Sequence, residues 1–148
     1  MGQAIKDLAA SRGHAVVAML GIDENRDGRG IAAWRDTADV AIEFTQPASA
    51  ATNVRACLAA GLPVVCGTTG WDAERVEIEA RVSETGGALL VAPNFSLGVA
   101  LFLEVARRAG ELFASHAQFA PAIVETHHAA KLDAPSGTAR ALHDVVHA

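Results

Sequence analysis

Short apolar runs alternate along this chain with stretches of helical composition, and that alternation limits the fold more than any other feature. Ala15-Val16-Val17-Ala18-Met19-Leu20 is apolar at every position, the pattern of a strand buried on both faces of a parallel sheet. Val40-Ala41-Ile42-Glu43-Phe44, Pro63-Val64-Val65-Cys66, Ala88-Leu89-Leu90-Val91 and Ala122-Ile123-Val124-Glu125 follow as further strand candidates. Strands that take turns with helices join through right-handed crossovers into a mostly parallel sheet. The expected class is therefore α/β, doubly wound.

Helix boundaries agree with that reading. Ile5, Leu8 and Ala9 share one face of an opening helix, and Gly13 is a natural stop. Pro47 opens a helix that Gly61 closes. Residues 72–84 have helical composition and end at Gly86-Gly87. Residues 97–114 form the longest helical stretch, apolar through Val99, Leu101, Phe102, Val105 and Leu112, and a last helix runs from Ser136. A doubly wound fold usually begins with a strand and a glycine-rich turn. This chain opens on a helix and stops within a helical pattern, so truncation at both ends is the expectation.

Composition narrows the function. The 148 residues suffice for a domain of ordinary size. Seventeen acidic against twelve basic side chains give a net charge of −5, and a pI near 5.6 argues against a nucleic-acid partner. A chain 51% hydrophobic and 20% charged is globular rather than disordered. Two cysteines are too few for a disulfide framework and fit a reducing cytoplasm. No apolar run approaches the ~20 residues that a bilayer requires. The start has neither signal-peptide order nor, with Lys6, a myristoylation pattern. A soluble cytoplasmic protein with no membrane partner is expected.

In parallel sheets ligands gather at the C-terminal ends of strands. Every unusual motif here falls at such an end: Asp23-Glu24, Phe44-Thr45, and residues 67–70, 92–95 and 127–138. The richest is Glu125-Thr126-His127-His128-Ala129-Ala130-Lys131-Leu132-Asp133-Ala134-Pro135-Ser136-Gly137-Thr138-Ala139. Its Pro-Ser-Gly-Thr opens a helix whose first N–H groups lack partners and whose dipole is positive there, a site for a carboxylate or phosphate. Gly137 leaves the backbone open to a ligand, Ser136 or Thr138 adds a hydroxyl, and Lys131 adds a full charge. His127 and His128 exchange protons near neutral pH. A carboxylate-bearing substrate that undergoes proton transfer is expected; the plain alternative is an N-capping serine beside ordinary loop histidines.

Gly67-Thr68-Thr69-Gly70 follows a strand directly. It offers free amides and two hydroxyls to a polar cofactor group, or simply turns the chain. In Ala92-Pro93-Asn94-Phe95-Ser96, Phe95 is either a ring against which a nicotinamide packs or a core side chain. Asp23 or Glu24 suits an adenosine ribose, while Arg26 and Arg29 suit a 2′-phosphate, so NAD and NADP both stay open. A rival use of His127, His128, Asp133, His143 and His147 is a metal site. Adjacent histidines diverge in extended backbone, and no cysteine pair or His-Glu-x-x-His pattern supports zinc. No metal is expected.

Residues 125–139 resemble the signature of the dihydrodipicolinate reductase (4-hydroxy-tetrahydrodipicolinate reductase) family. Glu43-Phe44-Thr45-x-Pro47, Gly67-Thr68-Thr69-Gly70 and Ala92-Pro93-Asn94-Phe95-Ser96-Leu97-Gly98-Val99 match that family in the same order, and Met1-Gly2 match the end of its Gly-x-x-Gly-Arg-Met-Gly phosphate loop. The resemblance implies a Rossmann-like dinucleotide-binding domain over residues 1–95, lacking its usual first strand. Residues 96–148 would begin a second, substrate-binding α+β domain. It implies NADH- or NADPH-dependent reduction of a cyclic unsaturated imine dicarboxylate in lysine and diaminopimelate biosynthesis. His127 would be the proton donor or acceptor and Lys131 the second proton donor. His128, Gly137 and Thr138 would bind substrate. Gly67, Thr68, Thr69, Ala92, Pro93, Asn94 and Phe95 would contact the cofactor. A homotetramer is implied only for a full-length chain. Two other readings are an inactive fragment of such a reductase and a different nicotinamide-dependent oxidoreductase of amino or keto acids.

Overall fold

The computed structural model describes residues 1–129 and 134–147. They form two compact units, Met1–Ala92 and Pro93–Ala148. In the first unit, helix α1 (Gly2–Ala9) runs into a tight turn that ends where Gly13 takes a left-handed φ of 77°. Three short strands follow, β1 (Ala41–Glu43), β2 (Val64–Cys66) and β3 (Leu89–Val91), separated by helices α2 (Pro47–Ala59) and α3 (Asp72–Thr85). Pro47 stands in the first turn of α2, where its missing N–H costs nothing. Gly86, at φ 67°, closes α3.

The strands pair in parallel in the order β1-β2-β3. Ala41, Val64 and Leu89 form one row across the sheet and Glu43, Cys66 and Val91 another. Both rows face the same way, because alternate residues of a strand share a face. There Val64 and Cys66 join Ala50, Val54 and Cys57 of α2 and Ile78 of α3 in the hydrophobic core. The row between, Ile42, Val65 and Leu90, faces the opposite side, and Ile42 and Leu90 are 50% and 56% exposed. The unit is thus a Rossmann-like α/β arrangement with one sheet face sealed by helices.

Two expected strands do not form. Residues 15–20 carry no ladder, and Val16, Val17 and Met19 are exposed. Leu20 packs against the core, so the run supplies contacts without becoming a strand. An apolar run signals burial, but a strand exists only where a neighbouring edge receives its N–H and C=O groups. Residues 122–125 likewise form no strand among the described residues, and Val124 is exposed.

In the second unit, α4 (Leu97–Phe113) and α5 (Gly137–Val146) pack against each other. At Gly110 the two lie so close that an added Cβ would be 2.7 Å from the Val146 carbonyl oxygen. Neither helix contains a buried residue. Among the described residues, no helix is long and apolar enough to cross a membrane.

Candidate active site

The sheet brings two of the sequence motifs together. An open pocket of about 320 Å³ lies where β1 and β2 end, lined by Phe44, Thr45, Pro47 and residues 67–69, with Met1 at its side. Gly67 lies under the Phe44 ring so closely that a Cβ would meet it at 2.1 Å. Only glycine lets backbone and ring approach this far. Thr68 is buried and committed: its hydroxyl accepts from the Thr45 N–H at 2.9 Å, and its carbonyl accepts from Trp71 Nε1 at 2.7 Å. Thr69 is exposed.

Beneath this turn sits Glu43, buried at the end of β1. It accepts from the Thr45 hydroxyl, from Asn53 Nδ2 at 3.3 Å and from the Cys66 thiol at 3.2 Å. Asn53 Oδ1 in turn accepts from Asn25 Nδ2 at 2.9 Å. A carboxylate in the core is tolerable only when donors surround it in this way. Burial, and then the Glu43 carboxylate, push the Cys66 thiol up to about 12. The same causes push Cys57 up to about 11. Both are inert thiols at neutral pH.

The pocket fits part of a dinucleotide. Its volume lies at the lower end for small-molecule sites. It offers an aromatic ring, a glycine turn and one free hydroxyl. Asp23 is exposed, whereas Glu24 folds back to accept from the Gly21 N–H at 3.0 Å. Because residues 15–20 form no strand, neither acid stands at a strand end. Ala92 ends the first unit; Pro93, Asn94 and Phe95 open the second. There Asn94 Oδ1 accepts from the Ser96 N–H at 2.8 Å, and Phe95 is half exposed rather than a core residue.

The second unit gathers the other motif around Glu125. Its Oε1 accepts from the Ser136 N–H at 3.0 Å. Its Oε2 accepts from the Ser136 hydroxyl at 2.7 Å and from His127 Nε2 at 3.0 Å. Ser136 Oγ caps α5 by accepting from the Ala139 N–H at 3.1 Å. The Ser136 hydroxyl and N–H, and then His127, hold the Glu125 carboxyl below the usual carboxylate range. The helix tip was expected to be free at residue 136; instead Ser136 is buried and its N–H is taken, while Gly137 and Thr138 follow it on the first turn. His128 is exposed nearby. Lys131 and Asp133 lie outside the described residues.

Among the described residues, no three His, Cys, Asp or Glu side chains gather as metal ligands would. His143 and His147 stack on each other with ring centroids 4.3 Å apart. Sequence reasoning missed Glu43, Asn53 and Glu125. An acid two residues before a histidine was the one available signal for Glu125. Nothing local marks a pairing between residues 43 and 53.

Comparison with known proteins follows the same division. Residues 1–95 match the family described as dihydrodipicolinate reductase, N-terminus, and residues 98–148 match dihydrodipicolinate reductase, C-terminus. The 4-hydroxy-tetrahydrodipicolinate reductase of Christiangramia forsetii is 36% identical over 140 residues, which are 94% of this chain and 56% of that protein. That of Beutenbergia cavernae is 46% identical over 114 residues, 76% of this chain and 44% of the relative. That of Streptomyces coelicolor is 39% identical over 140 residues, 93% and 52% respectively. The chain spans about half the length of the curated relatives it matches. With the two matched regions following one another along almost all of its residues, the chain belongs to the dihydrodipicolinate reductase family.

Proposed function

We propose that this chain carries reductase chemistry: NADH- or NADPH-dependent reduction of 4-hydroxy-tetrahydrodipicolinate to tetrahydrodipicolinate, in cytoplasmic lysine and diaminopimelate biosynthesis. The observation that carries the reading is the placement of His127 beside the first turn of α5. A proton carrier beside helix-tip amides suits a substrate that holds an anionic group next to a carbon needing a proton.

Residues 1–95 act as the dinucleotide-binding domain and residues 96–148 begin the substrate domain. Gly67, Thr69 and the backbone of Thr68 hold the cofactor, with Ala92, Pro93, Asn94, Phe95 and Asp23 as its further contacts. Loss of the 4-hydroxyl as water gives the conjugated ring, to which the reduced nicotinamide, when bound, would supply a hydride. The remaining work falls to side chains and backbone. Gly137 and Thr138 hold a ring carboxylate at the α5 tip, with His128 beside it. Lys131 pairs with that charge and is the second proton donor. His127 gives a proton to the ring carbon that gains electron density. Fixing the carboxylate orients the ring and favours electron flow away from the reacting carbon.

Trp71 is a built-in reporter, because its indole N–H is bonded to the Thr68 carbonyl. Titration with NADH and NADPH is expected to change Trp71 emission. With the cyclic imine dicarboxylate added, consumption of reduced cofactor follows. His127→Ala is expected to lower kcat about a hundredfold or more, the usual scale for losing a general acid. Unchanged emission at millimolar cofactor, or a kcat near wild type in His127→Ala, overturns the reading.

A further inference from the structure

Glu125 has no part in the chemistry proposed above, yet three donors converge on it. Its two oxygens receive the N–H and O–H of Ser136 and the Nε2–H of His127, all within 3.0 Å. A carboxylate is an acceptor only. The contact therefore requires a hydrogen on Nε2 of His127, and the ring nitrogen left to exchange a proton is Nδ1.

The bland account of Glu125 is a brace for the start of α5. Two facts weigh against it. First, the cap is already made, because Ser136 Oγ accepts from the Ala139 N–H; a serine does this unaided. Second, the carboxylate puts negative charge at a helix tip that is to receive an anion. It occupies the Ser136 N–H and leaves an incoming carboxylate the amides of Gly137 and Thr138. A neutral side chain would brace the helix without that repulsion. The carboxylate is explained by its second partner, the imidazole, whose ring a fixed acceptor orients.

We infer that Glu125 is a positioning residue: its carboxylate sets the His127 ring against the α5 tip, with Nδ1 as the proton-exchanging atom and Gly137 and Thr138 as the ligand's amides. The purpose of this tether rests on the reductase reading, but its existence does not.

The test uses the ¹⁵N-labelled chain. At mildly alkaline pH, His127 is expected to show a ring Nε2–H resonance shifted downfield and slow to exchange with water, and Ser136 a protected amide. Glu125→Ala should abolish the His127 resonance and speed Ser136 amide exchange about tenfold, the loss expected of a bond to a charged acceptor. Glu125→Gln keeps the volume but offers one acceptor oxygen, so it should lose at least one of the two protections. If both protections survive in Glu125→Gln, or the His127 resonance survives in Glu125→Ala, the tether is overturned. A second measurement separates the two ideas. Pyridine-2,6-dicarboxylate, a stable ring with two carboxylates, is added to the wild-type chain. Shifts at the Gly137 and Thr138 amides with no Glu125-dependence at His127 sink the tether and spare the reductase reading. A Glu125-dependent His127 with unmoved amides sinks the reductase reading and spares the tether.

Discussion

Glu43 shows how one side chain organises a pocket without facing it. Its carboxylate draws in Thr45 from its own loop, Asn53 from α2 and Cys66 from β2. Thr45 and Thr68 are then joined across the mouth of the pocket. Truncation strands these donors in the core, where each unsatisfied group costs roughly 1–3 kcal/mol. Glu43→Ala is therefore expected to destabilise the first unit by about 2–4 kcal/mol, lowering its melting midpoint by roughly 10 °C or more in a calorimetric scan. A midpoint within error of wild type would show that the network contributes nothing. At this scale the sequence was partly legible. Gly67, Thr69, His127 and Gly137 were visible as candidates, because glycine turns and helix starts have local signatures. Glu43 and Glu125 were not, since each role also needs partners ten or more residues away, Asn53 and Cys66 for the one and Ser136 for the other.

The elements divide by whether they depend on neighbours. Helices α2, α3 and α4 could be bounded from Pro47, Gly86-Gly87 and the apolar spacing, because a helix satisfies its own backbone. Residues 15–20 and 122–125 read as strands for good reason, yet a strand needs an edge that the pattern of one segment cannot supply. Packing between α4 and α5 was also invisible in sequence, since Gly110 looks there like a mere weakness in a helix. In an open helix, Gly110→Ala would stabilise by about 1 kcal/mol. Here the new methyl would meet Val146 backbone at 2.7–3.2 Å. Gly110 and Val146 both lie in the last turn of their helices, and α5 is the shorter and so the cheaper to displace. Gly110→Ala is thus expected to speed amide exchange at residues 145–147 with no gain in overall stability. Slower exchange there would mean that the helices have room to spare.

At the scale of the whole chain, burial is unequal. Among the described residues, the hydrophobic core of buried residues lies within the first unit, from Ile31 to Ile78. Helices α4 and α5 of the second contain no buried residue. The α/β class and the position of the helix-tip motif were legible from alternation and glycine punctuation. This imbalance was not, because α4 carries as many apolar residues as a core helix and hydropathy does not say what covers them. The two cysteines make the imbalance measurable. Cys57 and Cys66 are both buried in the first unit, with thiols pushed up to about 11 and 12. A maleimide or iodoacetamide in solution therefore reacts only when that unit opens, and it is blind to the loosening of α4 and α5. Alkylation time courses become a stopwatch for one half of the chain: in mild denaturant, helical signal should fall before either sulfur is labelled.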